Sequence, residues 1–142
     1  MQAYSTFMVE DFHFGVRTSD VVEFTKGLDV TPIPLGPAIV AGFMNLRGQI
    51  VTAIDIRKQL KLPPIQITEH TISIFFRYEG ALFSLLVDEV NDILELSDDD
   101  FEPPPSNLSA AAHEILVGVY KLPKKLLIIL DPKKIVSSIF NQ

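Results

Sequence analysis

Few residues in this chain have the type and spacing that chemistry requires. Arg47 closes a run of apolar residues (Phe43, Met44, Leu46) and stands directly before Gly48. A guanidinium in that setting either finds a carboxylate or extends past the strand end into water. Glu23, between Val22 and Phe24, is a carboxylate in a similarly apolar context. Two readings stay open: an arginine that simply reaches solvent, or one held by Glu23 and presented at an interface. His13, His70 and His113 each stand alone in sequence, none at metal-ligand spacing with another, and read as packing or surface residues. Asp98-Asp99-Asp100 lacks the alternating ligands, central glycine and distal glutamate of a calcium loop and reads as solvated. There is no glycine-rich phosphate cradle and no cysteine, so thiolate catalysis, disulfides and cysteine-based zinc sites are excluded.

The elements that must position these residues read as strands. Ser5, Phe7 and Val9 alternate with Tyr4, Thr6 and Met8, and Phe12, Phe14 and Val16 alternate with His13, Gly15 and Arg17. Glu10-Asp11 is the expected turn between them. Thr18-Ser19-Asp20 suggests the start of a short helical turn carrying Val21, Val22 and Phe24. Pro32, Pro34, Gly36 and Pro37 make residues 31–37 an extended loop. Two strands follow over 39–46 and 50–55, with a tight turn at Gly48. The second is apolar on both faces, Ile50 and Ile54 on one and Val51 and Ala53 on the other, which predicts cover on both sides. Residues 56–60 form one helical turn. A hairpin is predicted over 71–78 and 81–87 around Glu79-Gly80, then strands over 90–96, 115–120 and 126–130. Ser109 to Ala112 reads as a helical turn. Asp131 and Pro132 open a last helix that runs to about Phe140, with Asp131 as N-cap. About nine short strands and no long helix indicate an all-β sandwich or barrel, and no internal repeat stands out.

Composition narrows the function classes. The chain has 142 residues, of which 47% are hydrophobic and 21% charged, with a mean hydropathy of +0.27 and a net charge of −6. That size predicts one domain, and that apolar content excludes disorder as the main state. The acidic balance argues against nucleic acid or an anionic lipid surface as partner. Residues 1–6 hold no basic or apolar leader pattern, and the longest purely apolar run is Leu126–Leu130, so a cytoplasmic protein without membrane insertion is expected. Residues 79–102 hold nine acidic residues and no basic one, while 121–134 hold five lysines. These are either two solvated faces or two surfaces that steer a partner.

The run Gly42-Phe43-Met44-Asn45-Leu46-Arg47-Gly48-Gln49-Ile50-Val51, followed by Ile54-Asp55-Ile56-Arg57, resembles the central signature of the CheW-like domain family. Further similar segments occur in family order: Val21-Val22-Glu23-Phe24, Pro32-Ile33-Pro34, Leu85-Leu86-Val87-Asp88-Glu89-Val90, Phe101-Glu102-Pro103-Pro104-Pro105, Leu116-Val117-Gly118-Val119 and Leu127-Ile128-Ile129-Leu130-Asp131. The resemblance covers about residues 4–137. It implies a single domain over 1–142, built of two packed, intertwined five-stranded SH3-like β-barrels with short helices. It also implies a non-enzymatic adaptor without cofactor or metal, a monomer outside the array, that couples the cytoplasmic tip of chemoreceptors to the regulatory domain of a CheA-type histidine kinase. Matched residue by residue, Val21, Glu23, Gly42 and Arg47 fall in the family's receptor-binding region. Asn45 and Gly48 match the motif as turn residues, and no kinase-facing residue is assigned. Departures are Thr52 where the family has proline, Ser84 where it has glycine, and a glycine-free Glu10-Asp11 turn. They are compatible with an adaptor of a non-flagellar array, such as one for type IV pili or other surface motility. A detached regulatory domain of a kinase is the other alternative.

Overall fold

The structure is a computed structural model that describes residues 1–140. In chain order it contains β1 (Gln2–Val9), β2 (Phe12–Arg17), β3 (Val21–Lys26), β4 (Val40–Leu46), β5 (Gln49–Ile54), β6 (Ile72–Tyr78), β7 (Ala81–Val87), β8 (Glu89–Leu96), α1 (Ala110–His113), β9 (Leu116–Lys121), β10 (Leu126–Leu130) and α2 (Pro132–Ile139). Short 3-10 turns lie at Thr18–Asp20, Ile56–Lys58 and Asp98–Asp100. The ten strands exceed the nine expected by one, and the addition is β3. Only Thr18–Asp20 is helical. Val21, Val22 and Phe24 are strand residues, because β-branched and aromatic side chains suit a pleated surface and because β6 pairs with them, Glu23 opposite Phe75 and Phe24 opposite Ile74.

The strands form two five-stranded sheets, ordered β8-β1-β2-β10-β9 and β3-β6-β7-β5-β4. In each, the neighbours are antiparallel except for one parallel pair, β2 with β10 and β5 with β7. Each sheet then closes on itself. The segment after β3 bridges to β4 through reciprocal Thr31–Phe43 backbone hydrogen bonds, both 2.8 Å. The segment after β8 bridges to β9 through reciprocal Glu102–Val119 bonds, both 2.9 Å. A glycine precedes the bridging strand residue in both, Gly42 and Gly118. A Cβ on Gly42 would run into the Thr31 carbonyl oxygen, and one on Gly118 into the Glu102 carbonyl oxygen and the Phe101 ring. Seam closure therefore depends on bare backbone at two positions.

The two barrels share one topology. Gly42 stands thirteen residues before Asp55, and Gly118 thirteen before Asp131. Both aspartates cap the turn or helix that follows, Asp55 accepting from the Arg57 N–H and Asp131 from the Lys133 N–H, each at 3.0 Å. The first barrel is split: β1 and β2 precede the complete second barrel, and β8 to β10 follow it. This repeat escapes sequence inspection because Gly42, Leu46 and Asp55 are the only identities shared over that stretch with Gly118, Leu122 and Asp131.

Strands β1, β2, β6, β7, β9 and β10 are mostly buried on both faces, whereas β3 and β8 hold no buried residue. Tyr4, Tyr120, Leu127 and Ile129 fill the first barrel, and Met44, Leu46, Val51, Ala53, Phe75, Leu82 and Leu86 fill the second. The largest cluster lies between them, where Phe7, Phe14, Val16 and Ile128 meet Ile54, Ile74, Phe76 and Leu85. Ile135 and Val136 of α2 join this layer. Strand β5 spans two of these cores, Val51 and Ala53 in one and Ile54 in the other, as its double apolarity predicts. Ile50 departs from that expectation. It is 66% exposed, because it lies beside the β4–β5 turn, beyond the reach of either core.

One polar cluster, centred on a buried arginine, ties the barrels together. Arg57, 4% exposed, donates from Nη2 to both carboxylate oxygens of Asp88 at 2.5 and 2.6 Å, and its Nε lies 3.5 Å from Glu10. Asp88 is the single residue linking β7 of one barrel to β8 of the other, and it also accepts the Glu10 N–H at 2.7 Å. Asp88→Ala should lower stability by about 2–3 kcal/mol in urea unfolding, because it strips a buried guanidinium of its main partner. Gly42→Ala and Gly118→Ala should each lose on the order of 3 kcal/mol or fail to fold, whereas Gly80→Ala, where nothing lies near the added methyl, should lose less.

Candidate interaction surface

The type and place of Arg47 follow from its hairpin. Arg47 and Gly48 are the two turn residues between β4 and β5, with φ of 51° and 84°. Positive φ at both positions makes the turn that matches strand twist, and Gly48 suits the second at no steric cost. Asn45 stabilises the turn by accepting the Gly48 N–H at its Oδ1, 2.9 Å away. Glu79 and Gly80 repeat this φ pattern between β6 and β7, so the left-handed backbone at Arg47 is a turn requirement.

Strand β3 supplies the partner. Glu23 opposes Phe75 across the ladder, so its side chain points towards the open end of the second barrel. There Arg47 donates from Nη1 to Oε1 at 2.5 Å and from Nη2 to Oε2 at 2.9 Å, a two-point ion pair. Thr25 adds a longer bond to Oε2, 3.4 Å. The Arg47 hydrogen bonds hold the Glu23 carboxyl below its ordinary pKa, and Glu23 in turn raises that of the guanidinium. The pair spans the seam between edge strands β3 and β4. Of the two readings left open by the sequence, the arginine held by Glu23 is the one observed, and the side chain still stands 71% exposed.

The remaining motif residues separate by place. Gly42 lies at the seam, where it permits backbone closure. Val21 is half-buried against the layer between the barrels rather than beside the ion pair. Several apolar side chains near the seam are exposed: Val22 and Phe24 on β3, Phe43 on β4 and Ile50 on β5. Phe43 and Ile50 project from the same outer face, since Phe43 opposes Thr52 and Asn45 opposes Ile50. An exposed two-point ion pair on a rigid turn, with apolar neighbours, is suited to protein recognition. Among the described residues no three His, Cys, Asp or Glu side chains converge to hold a metal, and no helix is long and apolar enough to cross a membrane.

Sequence inspection did not single out Arg57 and Asp88 as partners. The only available signal was an arginine and an aspartate embedded in apolar runs, the pattern that did draw attention to Arg47. The acidic and lysine-rich segments do meet in space: Lys121 lies 3.3 Å from Glu102 at the seam of the first barrel.

Comparison with known proteins gives a consistent result. The family model described as the CheW-like domain matches residues 3–140. The chain is 30% identical over 137 residues to the chemotaxis protein CheW of Klebsiella aerogenes, covering 96% of this chain and 82% of that one. It is 27% identical over 136 residues to the chemotaxis protein CheW of Bacillus subtilis, covering 96% and 87%. The crystal structure of the scaffolding protein CheW from Thermoanaerobacter tengcongensis superposes with a TM-score of 0.80 at 26% identity, over 92% of this chain and 88% of that one.

Because the Glu23–Arg47 pair is exposed, Glu23→Ala and Arg47→Ala should leave the thermal midpoint and the circular dichroism spectrum unchanged. A collapse in either would make the pair a structural element of the seam.

Proposed function

The chain belongs to the CheW-like domain family, and from that premise we propose how it works as a scaffold in chemotaxis signalling. It is an adaptor. In the finer reading it binds the cytoplasmic tip of a chemoreceptor on one surface and the regulatory domain of a CheA-type histidine kinase on another, in the cytoplasm, without catalysis of its own. Outside the array it is a monomer of one domain. The names of its relatives favour this over an array for surface motility or a kinase fragment.

The observation that carries the receptor half of the reading is the Glu23–Arg47 pair. It occupies the motif positions that the family uses for receptors, it is exposed, and its arginine stands on a turn that Asn45 and Gly48 hold in place while its glutamate is fixed on β3. Orientation matters for a scaffold, because a coupling protein transmits a signal only if its two surfaces keep a fixed relation. The shared apolar layer and the Arg57–Asp88 cluster supply that stiffness between the barrels. Gly42 contributes through the seam on which the pair sits, and Val21 by anchoring β3 to the apolar layer.

Purified chain mixed with a receptor-tip fragment and the kinase regulatory domain should give a ternary complex by size-exclusion chromatography. Arg47→Ala should weaken the receptor arm by about tenfold or more and leave the kinase arm intact. No association with either partner would overturn the proposal, and equal loss of both arms would overturn the assignment of the pair to the receptor.

A further inference from the structure

The two barrels can be compared position by position, because their registers correspond. With Gly42 set on Gly118, Thr52 falls on Ile128. Their parallel neighbours Phe83 and Phe14 then coincide, and so do Leu82 and His13 one residue earlier. Across the next pairing, Phe75 opposes Ser84 and Thr6 opposes Gly15, which sets Phe75 on Thr6. The second barrel thus fills this end of its interior with a phenylalanine and a leucine, both buried. The first barrel puts a threonine and a histidine in the same places.

The consequence is a cavity of about 500 Å³ at the mouth of the first barrel, between β8 and the β9–β10 turn. Its walls are Leu94, Leu96, Leu122 and Pro123, and His13 lines it at only 4% exposure. Neither ring nitrogen of His13 has a hydrogen-bond partner among the described residues. Thr6 is already engaged, donating to the Asp92 carbonyl at 2.5 Å. The Oδ1 of Asn91, also on the lining, is buried without a partner. A buried polar side chain left unpaired opposes folding, and the twin barrel shows that an apolar pair fills this place. The mouths differ in closure too. Glu23 and Arg47 close one, while at the other Lys124 and Lys125 of the β9–β10 turn and Asp92 and Glu95 of β8 make no ion pair among the described residues.

We propose that the mouth of the first barrel binds a carboxylate carried on a short apolar body. An imidazole N–H and the Lys125 ammonium are the donors for the carboxylate oxygens, and the four apolar wall residues receive the body. Burial first, and then the nearby Lys125 charge, lower the pKa of His13, so the ring is neutral and keeps one N–H to donate. The cavity lies within the size range of small-molecule sites. The same chemistry is offered by a free organic acid and by a chain terminus ending in an apolar residue.

The test uses the full-length, isotope-labelled chain titrated in parallel with phenylacetate, phenylacetamide, phenethylamine and N-acetyl-leucine, followed by amide chemical shifts. Phenylacetate should give saturable shifts at His13, Leu94, Leu122 and Lys125, with the amide and the amine at least about tenfold weaker. Tighter binding of N-acetyl-leucine would identify a chain terminus as the source of the carboxylate, and tighter binding of phenylacetate a free acid. His13→Leu, which copies the second barrel, should keep or raise the thermal midpoint and abolish the shifts. Lys125→Gln should weaken binding by about tenfold. The proposal is overturned if none of the carboxylates shifts the mouth residues, if the amine binds as well as the acid, or if His13→Leu still binds.

Discussion

Closure of each barrel rests on one close approach between backbones. At Gly42 and at Gly118 the chain that follows an edge strand comes back across the sheet and exchanges two hydrogen bonds with the opposite edge. A side chain at either glycine would occupy the space of the incoming carbonyl. Without those bridges β3, β4, β8 and β9 would be open edges, with unpaired backbone groups exposed to other chains. With them, each sheet encloses its own small core. The edge strands are also fixed in relative position, so a group on β3 can meet a group on the β4–β5 turn. The Glu23–Arg47 pair therefore depends on Gly42 without touching it.

Two small barrels would each bury too little to be stable alone, and the layer between them resolves this. The outer faces of β1, β2 and β10 pack on those of β5, β6 and β7, so the strands are apolar on both sides. At the rim of that layer the buried Arg57 meets the more exposed Asp88. Its placement at the one-residue link from β7 to β8 is the physical reason the barrels hold one orientation. An apolar contact alone is non-directional, whereas one guanidinium nitrogen shared between both oxygens of a single carboxylate pins the link to one place.

Shared topology gives the molecule an internal reference. The second barrel spends its open end on an exposed ion pair above a filled core. The first leaves the equivalent end hollow and polar, with His13 where the twin has Leu82 and Thr6 where it has Phe75. Barrels with the same closure thus differ in what occupies the mouth, a filled core in one and a lined hollow in the other.

The strands, most of the turns and the family were legible in the sequence, because they rest on local signals. Period-2 alternation marked the first two strands, apolar runs between turn signals marked the other seven, Asp131-Pro132 and Ser109 marked helix starts, and the ordered motifs around Gly42 to Arg57 identified the family. The sequence also set out Arg47 and Glu23 as one possible pair. The strand character of β3 is not a local signal: a capping-like Thr-Ser-Asp precedes it, and its pairing partner β6 lies far along the chain. Tertiary structure alone decided that Arg47 is paired, that a buried Arg57 meets Asp88 between the barrels, that Gly42 and Gly118 are seam residues, and that His13 faces a cavity. Each of these depends on closure, which brings together residues that no local rule connects. Side-chain alternation is a property of one strand, but what a side chain meets is a property of the barrel.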